Sequence, residues 1–146
     1  FTPELCEKHK PTLGNVTSEM LPELSNLKDM PYWKELSIDN NIISEEIVDT
    51  LFSKGVPVVR NLYGHVETHI PSFTFSIFPD TKHKLQLECN EQYEYRIDRY
   101  DKLWIKSPVL MVKYASMKPK FDKEGYWWTG DVFERRHNKL FYKSPK

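Results

Sequence analysis

Only 5 Gly and 2 Cys occur in 146 residues, and the 21 basic and 21 acidic side chains cancel. Each shortage excludes something. Without surplus positive charge the chain has little to displace counterions from a phosphate backbone, so no nucleic-acid partner is expected. No apolar run reaches the ~18 residues that a membrane-crossing helix needs, so no transmembrane segment is expected. There is no Gly-x-Ser-x-Gly elbow and no glycine-rich phosphate loop, which leaves no visible nucleophile–base arrangement. Internal repeats and low-complexity tracts are also missing. Aromatic residues, by contrast, are plentiful: 8 Tyr, 8 Phe and 4 Trp make up 14% of the chain. Each buries a large area, so a core can be built although hydrophobic residues are only 39% of the total.

The two cysteines, Cys6 and Cys89, form an even count, and Asn15-Val16-Thr17 is a glycosylation sequon. The chain opens on Phe1 rather than Met and shows no signal peptide, which fits a processed or trimmed chain. Together these features predict a secreted glycoprotein with a Cys6–Cys89 disulfide and a glycan on Asn15. Such a bridge would close a loop of about 80 residues, worth ~4 kcal/mol in the chain-entropy account. The alternative is two separate buried thiols acting as small hydrophobes.

Residues 85–97 carry the clearest strand pattern. Leu85, Leu87, Cys89, Tyr93, Tyr95 and Ile97 share one parity, which Glu91 alone interrupts. Lys84, Gln86, Glu88, Asn90, Gln92, Glu94 and Arg96 share the other, as a strand with one wet face requires. Residues 44–54 carry the clearest helix pattern. Ser44 is the N-cap, Glu45 and Glu46 suit the positive end of the dipole, and Ile43 and Val48 form a hydrophobic staple. Gly55 ends it. A short helix is predicted at 22–28. Further strands are predicted at 56–63 (an edge, because of Pro57), 66–78, 103–117, 126–133 and 139–143, with a tight turn at 135–138.

The order of one helix followed by strands on short turns predicts an α+β fold. Residues 1–36 form an extended N-terminal arm, and residues 37–146 form a domain in which the main helix packs on a curved antiparallel β-meander of five to six strands. A small closed β-barrel is the alternative. A curled sheet offers a concave face, so the aromatic residues Tyr93, Tyr95, Trp104, Trp127 and Trp128 are candidate ligand-binding residues. Glu91, the one charge on the apolar parity, joins them, although a bulge near Asn90 would account for it too.

His65-Val66-Glu67-Thr68-His69 is the sharpest local motif. In an extended chain His65, Glu67 and His69 share a face and offer a ligand set for Zn or Fe, the only cofactors the sequence suggests. The outer two lie ~13 Å apart on a straight strand, so a ligand from elsewhere, such as His83, would be needed. A polar strand face in water is the plainer reading. The expected function is therefore binding rather than catalysis: a secreted protein holding a small apolar ligand in an aromatic-lined sheet. A protein–protein interaction subunit is the second reading, and a metal-dependent enzyme using His65, Glu67 and His69 is the third.

Overall fold

The computed structural model describes residues 2–27, 29–39, 43–112 and 121–145. The chain divides into two compact units, one made of residues 1–62 and 75–85, the other of residues 63–74 and 86–146.

The first unit begins with helix α1 (Pro3–His9), strand β1 (Leu13–Thr17), helix α2 (Leu21–Ser25) and strand β2 (Glu35–Asp39). Helix α3 (Glu45–Ser53) then leads into strand β3 (Val59–Tyr63). β1 pairs with β2 in parallel, Leu13 opposite Glu35 and Thr17 opposite Asp39. β2 pairs with β3 in parallel, Leu36 opposite Val59. Parallel neighbours need a crossover, and α3 supplies it between β2 and β3. Ser44 caps α3, its hydroxyl accepting from Ile47 N at 3.2 Å. The apolar side of α3 places Val48 and Leu51 in a core with Leu24, Met30, Leu36, Val59 and Ile77. Burying these side chains offsets the nucleation cost of a helix only nine residues long.

The second unit holds the end of β3, the start of β4 (Phe73–Ile77), and strands β5 (Gln86–Cys89), β6 (Glu94–Ile97), β7 (Lys102–Lys106), β8 (Trp127–Arg136) and β9 (Lys139–Pro145). Its pairings, β4 with β5, β5 with β9, β9 with β8, β8 with β7 and β7 with β6, are antiparallel. His137 and Asn138, both at positive φ, form the two-residue turn between β8 and β9. Tyr63, Phe73, Leu87, Leu103, Ile105, Phe133 and Leu140 make this unit's core.

Among the described residues, nine strands are hydrogen-bonded in the order β1-β2-β3-β4-β5-β9-β8-β7-β6. The sheet is mixed, which corrects the antiparallel meander of five to six strands and its closed-barrel alternative. Part of the predicted arm is itself α1, β1 and α2. The strands that sequence reading missed, β1 and β2, are five residues each and half polar. The segment predicted as an edge, 56–63, yields β3, which sits between β2 and β4. The long strand at 85–97 is two strands, β5 and β6, because the chain turns at 90–92, where Tyr93 N donates to Asn90 O at 2.9 Å. β7 stops at Lys106, and residues 113–117 of the strand predicted at 103–117 lie outside the described residues.

Candidate functional site

The site grows from the end of β3. Gly64 follows Tyr63, and a Cβ there would stand 3.0 Å from Pro71 Cα and 3.4 Å from Thr68 Oγ1. An added methyl would crowd the loop's own backbone, so a glycine eases this close fold-back of the next residues. They make a 3₁₀ turn at Val66–Thr68 rather than a strand. Thr68 closes it, donating to His65 O through its N (3.0 Å) and its Oγ1 (2.8 Å), and accepting from His65 N at 3.1 Å.

His69 then adopts φ 65° and ψ −40°. Ile70 N reaches back to Thr68 O at 2.7 Å across it. This γ-turn geometry is strained for a residue with a Cβ and persists only where neighbours over-determine it. Tyr93 is one such neighbour: its hydroxyl donates to Thr68 O at 2.6 Å and lies 3.4 Å from Ile70 O.

This loop aims His65 at Asp131. His65 Nε2 lies 2.9 Å from Asp131 Oδ2 and 2.9 Å from Tyr63 Oη. Tyr63 donates its hydroxyl to the same Oδ2 at 2.6 Å. The imidazole also stands edge-on to the Trp127 and Tyr63 rings, 5.3 Å from each centroid. The Tyr63 ring packs on Phe133 at 4.9 Å and on Phe73 at 5.8 Å.

Asp131 owes its place to an irregularity in β8. Trp128 pairs with Trp104 and Val132 with Lys102, so β8 has more residues than β7 between these pairs. Gly130 takes up the surplus at φ 88°. Thr129 Oγ1 donates to Leu103 O at 3.0 Å and accepts from Asp131 N at 3.1 Å. The side chain is thereby turned inward and is 7% exposed.

Burial, then the negative charge of Asp131, pushes the Tyr63 phenol far above its ordinary range. Burial, then the same charge, raises Tyr142 to about 12. Tyr63 therefore remains a neutral donor. Both contacts to Asp131 fall on Oδ2, and among the described residues no hydrogen bond reaches Oδ1. The cluster thus offers a fixed anionic acceptor with one uncommitted oxygen.

Trp127 and Tyr93, both predicted as ligand-binding, abut this cluster from the core. Tyr95 packs its ring on Phe73 at 5.4 Å. Trp104 and Trp128 pair on the opposite face of β7 and β8, centroids 6.5 Å apart, with Arg96 over Trp104. Glu91 is exposed in the turn between β5 and β6. The predicted set is therefore spread over two sheet faces and a turn. Of the metal trio, His65 faces Asp131, and the 3₁₀ turn removes the shared strand face. His83 belongs to the other unit. Among the described residues no group of three His, Cys, Asp or Glu side chains could hold an ion.

Asp131 was absent from the candidates. Its signal was Gly130, a glycine inside an aromatic strand pattern, which marks a bulge.

Cys6 and Cys89 are free thiols in different units, so the predicted disulfide is corrected. Asn15 lies in β1 rather than in an irregular arm.

No family model matches the chain, and no curated protein matches its sequence. Solved structures do match its fold. O-succinylbenzoate coenzyme A synthetase (MenE) from Bacillus subtilis in complex with AMP matches at TM-score 0.79 and 18% identity, over 98% of this chain and 41% of that one. The inhibitor-bound N-terminal domain of FACL13 from Mycobacterium tuberculosis matches at TM-score 0.76 and 16% identity, over 98% and 40%. R195K MenE from E. coli with bound OSB-AMS matches at TM-score 0.74 and 16% identity, over 90% and 29%. The chain thus spans well under half the length of these proteins. The likeness establishes the fold. Structural neighbours that are synthetases, together with free thiols, overturn the expectation of a secreted, disulfide-bonded glycoprotein that holds an apolar ligand without catalysis. Among the described residues no helix is long and apolar enough to cross a membrane.

Proposed function

We propose that this chain is the part of a coenzyme A synthetase-like fold that holds an adenine nucleotide, with Asp131 accepting hydrogen bonds from the ribose hydroxyls. The observation that carries this reading is Asp131 Oδ1, which accepts no hydrogen bond among the described residues although the side chain is only 7% exposed. Among the groups of a nucleotide, the phosphate is repelled by a carboxylate, whereas hydroxyls donate to it. The fold likeness to a MenE that binds AMP supports the choice of nucleotide.

Equilibrium binding of AMP by calorimetry tests the reading. Asp131→Asn keeps the shape and removes the charge. Losing a hydrogen bond to a charged group is worth ~1.5–3 kcal/mol, so affinity should fall about 10- to 100-fold. Unchanged affinity in Asp131→Asn, or no AMP binding by the unmodified protein, would overturn it.

A further inference from the structure

We propose that His65 is a positioning residue that, together with Tyr63, saturates Asp131 Oδ2 and so leaves Oδ1 as the oxygen offered to the ligand. The inference rests on the reading of Asp131 as the ribose-binding carboxylate.

Three atoms form a closed triangle: Tyr63 Oη to Asp131 Oδ2 at 2.6 Å, His65 Nε2 to Oδ2 at 2.9 Å, and Tyr63 Oη to His65 Nε2 at 2.9 Å. The phenol has a single proton, and the 2.6 Å contact assigns it to the carboxylate. Were Nε2 unprotonated, its lone pair would face the lone pairs of two oxygens at 2.9 Å with no hydrogen between them. Nε2 therefore carries a hydrogen and donates. A carboxylate oxygen that receives two donors has little capacity left, so the ligand's hydroxyls are directed to the other oxygen. The two donors also restrain the rotation of the carboxylate.

The ring is held independently of the ligand. The 3₁₀ turn fixes its backbone, Gly64 allows that turn to close, and Trp127 confines one side of the imidazole. A ligand therefore meets an acceptor already oriented, which lowers the ordering cost of binding.

The test compares AMP binding by the unmodified protein, His65→Leu and His65→Gln. Leucine fills similar space without a donor. Glutamine returns an N–H at about the reach of Nε2. The expected result is roughly tenfold weaker binding for His65→Leu and recovery to within about threefold for His65→Gln. If the unmodified protein binds AMP but His65→Leu binds as well, or His65→Gln binds as poorly as His65→Leu, the role of His65 is overturned and the ribose reading of Asp131 stands. If the unmodified protein fails to bind AMP, both fall. A measurement on unmodified, ligand-free protein covers poor folding of the variants. Imidazole ¹⁵N–¹H correlation should show His65 carrying its hydrogen on Nε2, and a tautomer with Nδ1–H alone overturns the proposal.

Discussion

Tyr63 and Asp131, 68 positions apart in sequence, meet through a 2.6 Å hydrogen bond in which the phenol donates and the carboxylate accepts. The pair fixes the sign of the protein's response to alkali. Burial and the Asp131 charge both disfavour a phenolate, at Tyr63 and again at Tyr142.

The unfolded chain releases phenol protons near pH 10, while the folded chain keeps them, to about pH 12 at Tyr142. The unfolded state therefore gains as pH rises. Stability should be fully present below about pH 10 and decline above it. Urea midpoints taken between about pH 8 and 11 should fall at the alkaline end, and Tyr142→Phe should flatten that fall. A profile that is level to pH 11 in the unmodified protein would contradict the placement of Tyr63 in the core and of the half-buried Tyr142 beside Asp131.

The thiols give a second check. Cys6 is 3% exposed, and burial raises the Cys89 thiol to about 11, where little thiolate forms near neutrality. Native protein should react slowly with a maleimide. Denatured, unreduced protein should take up two equivalents, one at each free cysteine. Uptake of none would mean that a Cys6–Cys89 bridge exists after all.

Local signals were legible in the sequence, and non-local ones were not. α3 announced itself because its start, stripe and stop all lie within residues 43–55: the staple, the Ser44 cap, Val48 and Leu51 inward, and Gly55 at φ 94°. The β8–β9 hairpin was readable for the same reason, since Asn138 tolerates positive φ. β1 and β2 were hidden because their pairing is parallel and set by residues on other elements. The alternation of His65, Glu67 and His69 imitated a strand, but the chain there obeys Gly64 packed on Pro71 and Tyr93 reaching Thr68. Asp131 looked like one more acid, and only the bulge beside Leu103 turns it inward.

The two glycines that shape the site differ in cause, and substitution should separate them. At Gly64 the obstacle is space: an added methyl meets Pro71 Cα at 3.0 Å, which is backbone and cannot swing away. At Gly130 the obstacle is conformation: φ is 88°, and nothing lies within 4 Å of an added Cβ. Gly64→Ala should cost ~1–3 kcal/mol through overpacking, and Gly130→Ala ~1–2 kcal/mol through left-handed backbone. Asparagine divides the cases, because it tolerates positive φ yet is larger than alanine. Gly130→Asn should recover part of the loss, whereas Gly64→Asn should be worse than Gly64→Ala. Urea denaturation of the four variants measures this. A neutral Gly64→Ala would mean that the turn carrying His65 does not close as tightly as its hydrogen bonds require. Asparagine no better than alanine at position 130 would remove the left-handed bulge as the device that delivers Asp131.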